Sequence, residues 1–420
     1  MPIRRLPVRP DLDQLKHQAK DLLRAIRSGE AAAVAELSEH RPAAISPTTA
    51  KLSDAQLVLA RSYEATSWTR LVQAAQLGAA IWSDDIDAVR DLVTRNPRLI
   101  HEQVLIRSDS NWGPPMSYAA NLGRDRIIRM LHERGATDFE SAAGRAALQG
   151  HVDTARMLHD MAGRPPLPEG ALGGPAYTLS AEGTELLFTL GARVRGGAGS
   201  PAEVVLQTDS RKPAAKHAIL EMYARHGLEL PDTPTMALHC GRIDLLEEHL
   251  RRDPSLLGRT FSHREIYPAE LGCGDPLDAT VGTPLGGTTL LHMAVDFDEM
   301  EIARWLLDQG MDVNARAAVG RSGYGGYTAL FNTVVSQPNF WMNHRKRGPF
   351  VAPFTELLLE RGADPNVRAS IWKCLHPGHG DPTRHDYRDV TPISWGRRFH
   401  APIFVSEPAL GLIVRAGGSE

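Results

Sequence analysis

A glycine keeps returning just beyond pairs of apolar helical segments, and that recurrence leaves few folds open. Gly135, Gly163 and Gly191 stand 28 residues apart, Gly227 follows after 36, Gly362 lies 52 beyond Gly310, and Gly417 lies 55 beyond Gly362. The period is short at first and then stretched. A second self-match sets DIDAVRDLVTRNPRLI, residues 85 to 100, beside RIDLLEEHLRRDPSLL, residues 242 to 257. Each begins acidic, reads as a helix, and is ended by a proline that cannot continue it. A chain that reuses one helix pair in this way points to stacked repeats.

Ahead of the recurrence, Leu12, Leu15, Ala19, Leu22, Leu23 and Ile26 follow Pro10 and Asp11 at helical spacing, and Gly29 closes the segment. Ser53, three residues before Gln56, reads as a capping box, and Ser67 as the cap of a helix ending at Gly78. The expected organisation is therefore a helical subdomain over 1–79, degenerate repeats over 80–257, a long inserted loop over 258–287, and repeats with long insertions over 288–420.

Residues 288 to 316, TTLLHMAVDFDEMEIARWLLDQGMDVNAR, form the clearest unit: Ile302, Ala303, Leu306 and Leu307 make one stripe, Gly310 ends the helix, and Asp312 and Asn314 make a turn. This unit resembles an ankyrin repeat, with Thr289, Leu291, His292, Ala294, Gly310, Asp312 and Asn314 at the offsets of that family's pattern. Residues 113 to 136, 142 to 158 and 327 to 367 match less fully, and degenerate copies fit 172 to 192, 200 to 227, 232 to 257 and 391 to 417. The stretch LPVRPDLDQLKHQAKDLL resembles the helical leader of bacterial ankyrin-repeat proteins. The resemblance implies an all-α ankyrin-repeat solenoid preceded by a small helical subdomain, with an exposed inner face for binding. It also implies that His292 is structural.

The departures from the period are where function is expected. Three enlarge inter-repeat hairpins, at 259–287, 317–327 and 368–389, and consecutive hairpins of this family project from one end of the stack. They are expected to lie side by side and wall off a pocket. A fourth, 336–353, separates the two helices of one repeat. A ten-residue helix is about 15 Å long and fifteen extended residues reach roughly 50 Å, so this insert is long enough to fold back across the face.

Each insert carries residues with usable chemistry. In the first, His263 and Glu265 are acid/base candidates, with Tyr267 and Asp275 as contacts to a partner or substrate. The second offers Tyr324 and Tyr327. The third holds His385, Asp386 and Tyr387, a candidate base with a carboxylate and a phenol beside it, and the contact residues Trp372, His376 and His379. Cys374, His376, His379 and His385 fall within twelve residues, but C-x-H-x2-H-x5-H matches no regular zinc frame. Pinning of the loop by hydrogen bonds is the preferred reading, and no metal or cofactor is expected. The fourth insert adds His344 as an acid/base candidate and Phe340, Trp341, Asn343 and Arg345 as contacts.

Composition limits the function. Lys and Arg number 47 against 50 Asp and Glu, a net charge of −3, so the long-range pull expected of a nucleic-acid or anionic-membrane binder is missing. Three cysteines suit a reducing compartment, and a cytoplasmic location is expected. His101-Glu102 and His132-Glu133 have Leu105 and Ala136 where a metalloprotease helix needs its second histidine, and neither a nucleophile elbow nor a phosphate-cradling loop is present. The preferred reading is a binding scaffold for an unidentified protein or small molecule, with no nucleic acid and no membrane as partner. The alternative is an enzyme whose loop-lined pocket catalyses a cyclisation, isomerisation or elimination by shape and one or two acid/base groups. Whether the chain is an enzyme is left open by the sequence.

Overall fold

Asp11 accepts the backbone N–H groups of Asp13 and Gln14 and so starts the Leu12–Arg27 helix, whose Leu15, Ala19, Leu22 and Ile26 are buried on one face. The same logic, a cap, an apolar stripe and a left-handed stop, is repeated along the chain. The computed structural model describes residues 4–40, 45–274, 282–335, 351–375 and 381–420. It divides into two compact units, Met1–Pro166 and Leu167–Glu420.

In the first unit, helix pairs follow the N-terminal helices: Trp68–Trp82 with Ile86–Arg95, Pro115–Ala120 with Asp125–Glu133, and Phe139–Gln149 with Val152–Met161. Their first members pack against one another in sequence. In the second unit the pairs are Gly173–Thr178 with Ala181–Thr189, Pro201–Gln207 with Pro213–Arg225, Pro234–His239 with Ile243–Arg252, Leu290–Asp296 with Met300–Asp308, Ala329–Val334 with Pro353–Glu360, and Pro392–Arg398 with Glu407–Arg415. From Pro234–His239 onward each first helix packs on the next, so the apolar face that one pair leaves bare is covered by its neighbour.

The recurrent glycines are the stops. Gly135, Gly163, Gly191, Gly227, Gly310, Gly362 and Gly417 all have φ between +82° and +98°, a region that costs an L-residue roughly 1 kcal/mol or more. At Gly310 an added Cβ would meet no described atom within 4 Å. Gly310→Ala therefore isolates the backbone cost, and urea denaturation is expected to show a loss of about 1 kcal/mol with an unchanged slope; a neutral result would contradict the left-handed stop.

The two matched segments share their end as well as their helix. Pro97–Ile100 and Pro254–Leu257 are both 3₁₀ turns that begin at the proline. Two sequence expectations are corrected. Gly78 does not end its helix, which runs through it to Trp82; the glycine sits where the Pro10 ring passes, 3.2 Å from the position of an added Cβ. Ser53 does not cap its helix, because the Leu52–Ser62 helix starts one residue earlier and its box is closed by Asp54 accepting the Lys51 N–H at 2.7 Å.

The third insert is a β-hairpin. Strand Ala369–Lys373 pairs antiparallel with His385–Val390, with Ile371 opposite Tyr387 and Trp372 opposite Asp386. Successive strand residues face opposite sides. Ala369, Ile371 and Lys373 are accordingly buried, while Ser370 and Trp372 are half-buried on the other face.

Candidate functional site

The three enlarged hairpins are joined through their backbones. Ala318 N–H donates to the Gly287 carbonyl at 2.8 Å, tying the first insert to the second. Gly325 and Ser370 exchange hydrogen bonds of 2.7 and 3.2 Å, tying the second to the third. Gly325 has φ +128°, and an added Cβ would fall 2.0 Å from the Ala318 carbonyl oxygen. Only glycine lets the second insert fold this tightly on itself while its outer edge pairs with the strand.

His292 anchors this arrangement. His292 Nδ1 and the Thr289 hydroxyl are 2.9 Å apart, and its Nε2 lies 3.1 Å from the Tyr327 carbonyl. Burial pulls the ring's pKa down to about 4 against the Tyr327 bond, so the neutral imidazole accepts from Thr289 and donates to the next hairpin. Tyr327 is itself buried, and its hydroxyl donates to the Pro284 carbonyl at 2.9 Å.

Between the inserts lies a cleft of about 390 Å³ lined by His263, Pro284 and Gly286 of the first, Ala318, Tyr324, Gly325 and Tyr327 of the second, and Ser370, Ile371 and Trp372 of the third. Its rim carries stacked cations. The Arg388 guanidinium lies 3.6 Å from the Tyr324 ring centroid, and that of Arg384 lies 5.2 Å from Tyr324 and 4.9 Å from Trp372. Arg384 also pairs with Asp386 at 2.9 Å and, with Tyr324, holds that carboxyl below the usual range. Arg384 just ahead of the strand and Asp386 and Arg388 within it are spaced by two, in keeping with their sharing this side.

The same alternation separates the candidate base from its expected partner. His385 and Asp386 point to opposite faces, and the carboxylate that meets His385 is Asp381, 2.9 Å from Nε2. Bonds from Thr383 and then His385 hold Asp381 down at about 2. The His385 ring stacks on His400 at 3.9 Å between centroids, and His400 Nδ1 is 2.6 Å from the Tyr387 hydroxyl. Burial raises the phenol and lowers His400, the nearby His385 adding to the latter. This is a connected polar network, and it lies across the hairpin from Trp372.

Other candidates are placed elsewhere or are already engaged. Glu265 closes a helix cap, accepting the Ser262 N–H and hydroxyl at 2.8 Å each, and pairs with Arg259 at 2.5 Å; these bonds together outweigh burial and lower its pKa. Tyr267 is a core residue, 2% exposed and packed on His263, His239 and Phe297, so it is not the surface contact expected. Asp275, Phe340, Trp341, Asn343, His344, Arg345, His376 and His379 lie outside the described residues. Of the Cys374, His376, His379 and His385 set, only the half-buried Cys374 thiol and His385 are described. Among the described residues no group of three or more His, Cys, Asp or Glu side chains could hold a metal ion.

Arg384, Arg388, Asp381 and His400 were not singled out from the sequence. The signal for the two arginines is the i, i+2, i+4 spacing of 384, 386 and 388 at and just ahead of a short strand. No local signal marks His400, which reaches the hairpin only through the fold. Among the described residues no helix is long and apolar enough to cross a membrane.

Residues 286–318 match the family model of the ankyrin repeat. Among solved structures, the ankyrin repeat domain of human ASB11 is similar at 19% identity, covering 60% of this chain and 99% of that one with a TM-score of 0.29. No curated protein matches the chain. An ankyrin repeat thus occupies 286–318, its helix pair recurs on both sides, and the fold class is that of an all-α ankyrin-repeat protein.

Proposed function

We propose that this chain is a binding scaffold that holds a protein partner in the cleft between its three elaborated hairpins. Ankyrin repeats bind proteins as a class. The observation that carries the reading here is the lining: Tyr324, Trp372 and two stacked arginines around a pre-formed cleft. Trp, Tyr and Arg are the residues that concentrate binding energy at interfaces, because they bury large rigid area and still offer a polar edge. With Arg384 paired to Asp386, the Arg388 guanidinium favours a partner segment that brings a carboxylate to the rim and an apolar side chain to Trp372.

The test is paired affinity capture with the wild type and the Trp372→Ala/Arg388→Ala double variant. A protein retained by the wild type is expected to be lost at least tenfold by the variant, whose unfolding midpoint stays within a few degrees because Arg388 is exposed and Trp372 is half-buried in the open cleft, outside the repeat core. Equal retention by both proteins would remove the cleft from the function.

We further propose that the N-terminal helices are the leader seen in bacterial ankyrin-repeat proteins, and that the chain works in a reducing compartment such as the cytoplasm. The three cysteines, none of them in a disulfide, support the second point.

A further inference from the structure

A second cleft, of about 230 Å³, lies in the second unit at the turn ends of two repeats, and its lining includes Arg211, Asp296, Asp298, Asn332, Thr355 and Ser406. Asn332 sits on the Ala329–Val334 helix, fully buried, and among the described residues neither its amide oxygen nor its nitrogen has a hydrogen-bond partner. The Thr355 hydroxyl, also fully buried, is in the same state. Each buried unpaired polar group costs about 1–3 kcal/mol, whereas an apolar side chain of the same shape would cost nothing of the kind.

Asp298 is the second polar group of interest. It has φ +64° in the turn two residues ahead of the Met300–Asp308 helix, the place that Gly123, Gly150 and Gly241, and also Asp84 at φ +60°, occupy ahead of their own second helices. A glycine would relieve the backbone, yet here the chain keeps a carboxylate that lines the cleft. The Asp298 side chain is exposed at the mouth of the cleft, and the protein around it pushes its carboxyl up, with Arg211 opposing and Glu299 adding.

Arg211, the cation among the described lining residues, is already committed. It gives Nη2 to Asp296 Oδ2 at 2.7 Å, Nε to the Asp296 carbonyl at 2.5 Å, and Nη1 to the carbonyls of Thr208 and Ser210 at 2.7 and 3.1 Å. With Arg211 and Asp296 neutralising each other, Asp298 sets the sign of the cleft, and Asn332 with Thr355 offers a donor and acceptors of neutral type.

We propose that this cleft binds a small ammonium compound that also carries an amide or hydroxyl group, with the ammonium on Asp298 and the neutral polar group on Asn332 and Thr355. This site is separate from the hairpin cleft and stands whether or not that cleft binds a protein.

Alaninamide, acetamide and propionate are the probes, titrated into the full chain by calorimetry and by thermal shift. Alaninamide is expected to bind at millimolar concentration or tighter, acetamide at least tenfold more weakly, and propionate not at all. Asp298→Gly, which suits the left-handed turn, is expected to fold with an equal or higher melting temperature and to lose at least tenfold in alaninamide affinity. Asn332→Leu is expected to raise the melting temperature of the ligand-free chain and to lose the alaninamide response. Absence of alaninamide binding, binding unchanged in Asp298→Gly, or destabilisation by Asn332→Leu would each overturn the proposal.

Discussion

Trp395→Ala is expected to destabilise the second unit by about 3–5 kcal/mol, the range for deleting a large buried aromatic side chain. Trp395 is fully buried. Its ring meets Tyr387 edge-on at 4.8 Å and Phe399 at 4.9 Å, so it joins the β-hairpin to the last helix pair. Its indole N–H donates to the Thr283 hydroxyl at 3.0 Å, and that hydroxyl lies 3.1 Å from both the Phe331 and Val335 carbonyls. One side chain therefore ties the first insert, the third insert and two repeats together. Trp395→Phe keeps most of the volume, and the Thr283 hydroxyl keeps its carbonyl acceptors, so the cost should fall to about 1–2 kcal/mol. Chemical denaturation of both variants checks the pair; equal, small losses would mean that the inserts are not coupled through this residue.

Lys216→Met should change stability in a pH-dependent way. Lys216 is 3% exposed, with Nζ 2.7 Å from His239 Nδ1 and 3.9 Å from the Phe297 ring centroid. Burial, aided by Arg211 and opposed by Glu299, Cys240 and Asp296, pulls its pKa down to about 7. Burial and the adjacent Lys216 also hold His239 well below its ordinary value, and its Nε2 is 2.9 Å from the Ile266 carbonyl. An unfolded lysine keeps its proton up to about pH 10.4. Between those limits the unfolded state binds a proton that the folded state does not, so wild-type stability rises with pH across that window and the full penalty stands below it. A tenfold difference in proton affinity between the folded and unfolded lysine is worth about 1.4 kcal/mol, which makes the penalty a few kcal/mol.

The methionine has no such dependence, though it leaves His239 Nδ1 without its donor. The stability difference, wild type minus variant, is expected to be flat below about pH 7 and to increase by a few kcal/mol towards pH 10. Urea melts at pH 6, 8 and 9.5 measure it, and a difference that does not change with pH would mean that the ammonium is not desolvated.

The fold was legible where the backbone demands one residue type. A left-handed stop selects glycine strongly enough that Gly135 through Gly417 trace the helix pairs without any knowledge of contacts. Gly78 misled because its reason is lateral: the Pro10 ring needs the space, and nothing local says so. Asp298 was missed for the opposite reason, since it occupies a glycine position without being one.

In the hairpin cleft, His263, Tyr324, Tyr327 and Trp372 could be named because they lie in inserts on neighbouring repeats, and the stack brings such inserts together. What those residues do within the cleft was less legible. Reading His385 with Asp386 ignored the period of two in a strand, which turns neighbours away from each other and leaves His385 to Asp381. His400 joins Tyr387 from beyond the following helix, a contact that no spacing rule reaches.

The central claim is that the junction of the three hairpins is where a partner sits. It is tested most directly by placing the photo-crosslinker p-benzoylphenylalanine at Trp372 and, as a control, at the exposed Arg304 on the second helix of the Leu290–Asp296 repeat. Irradiation with the captured partner is expected to give a covalent adduct from position 372 and none from position 304. An adduct from position 304 with none from 372 would contradict the account.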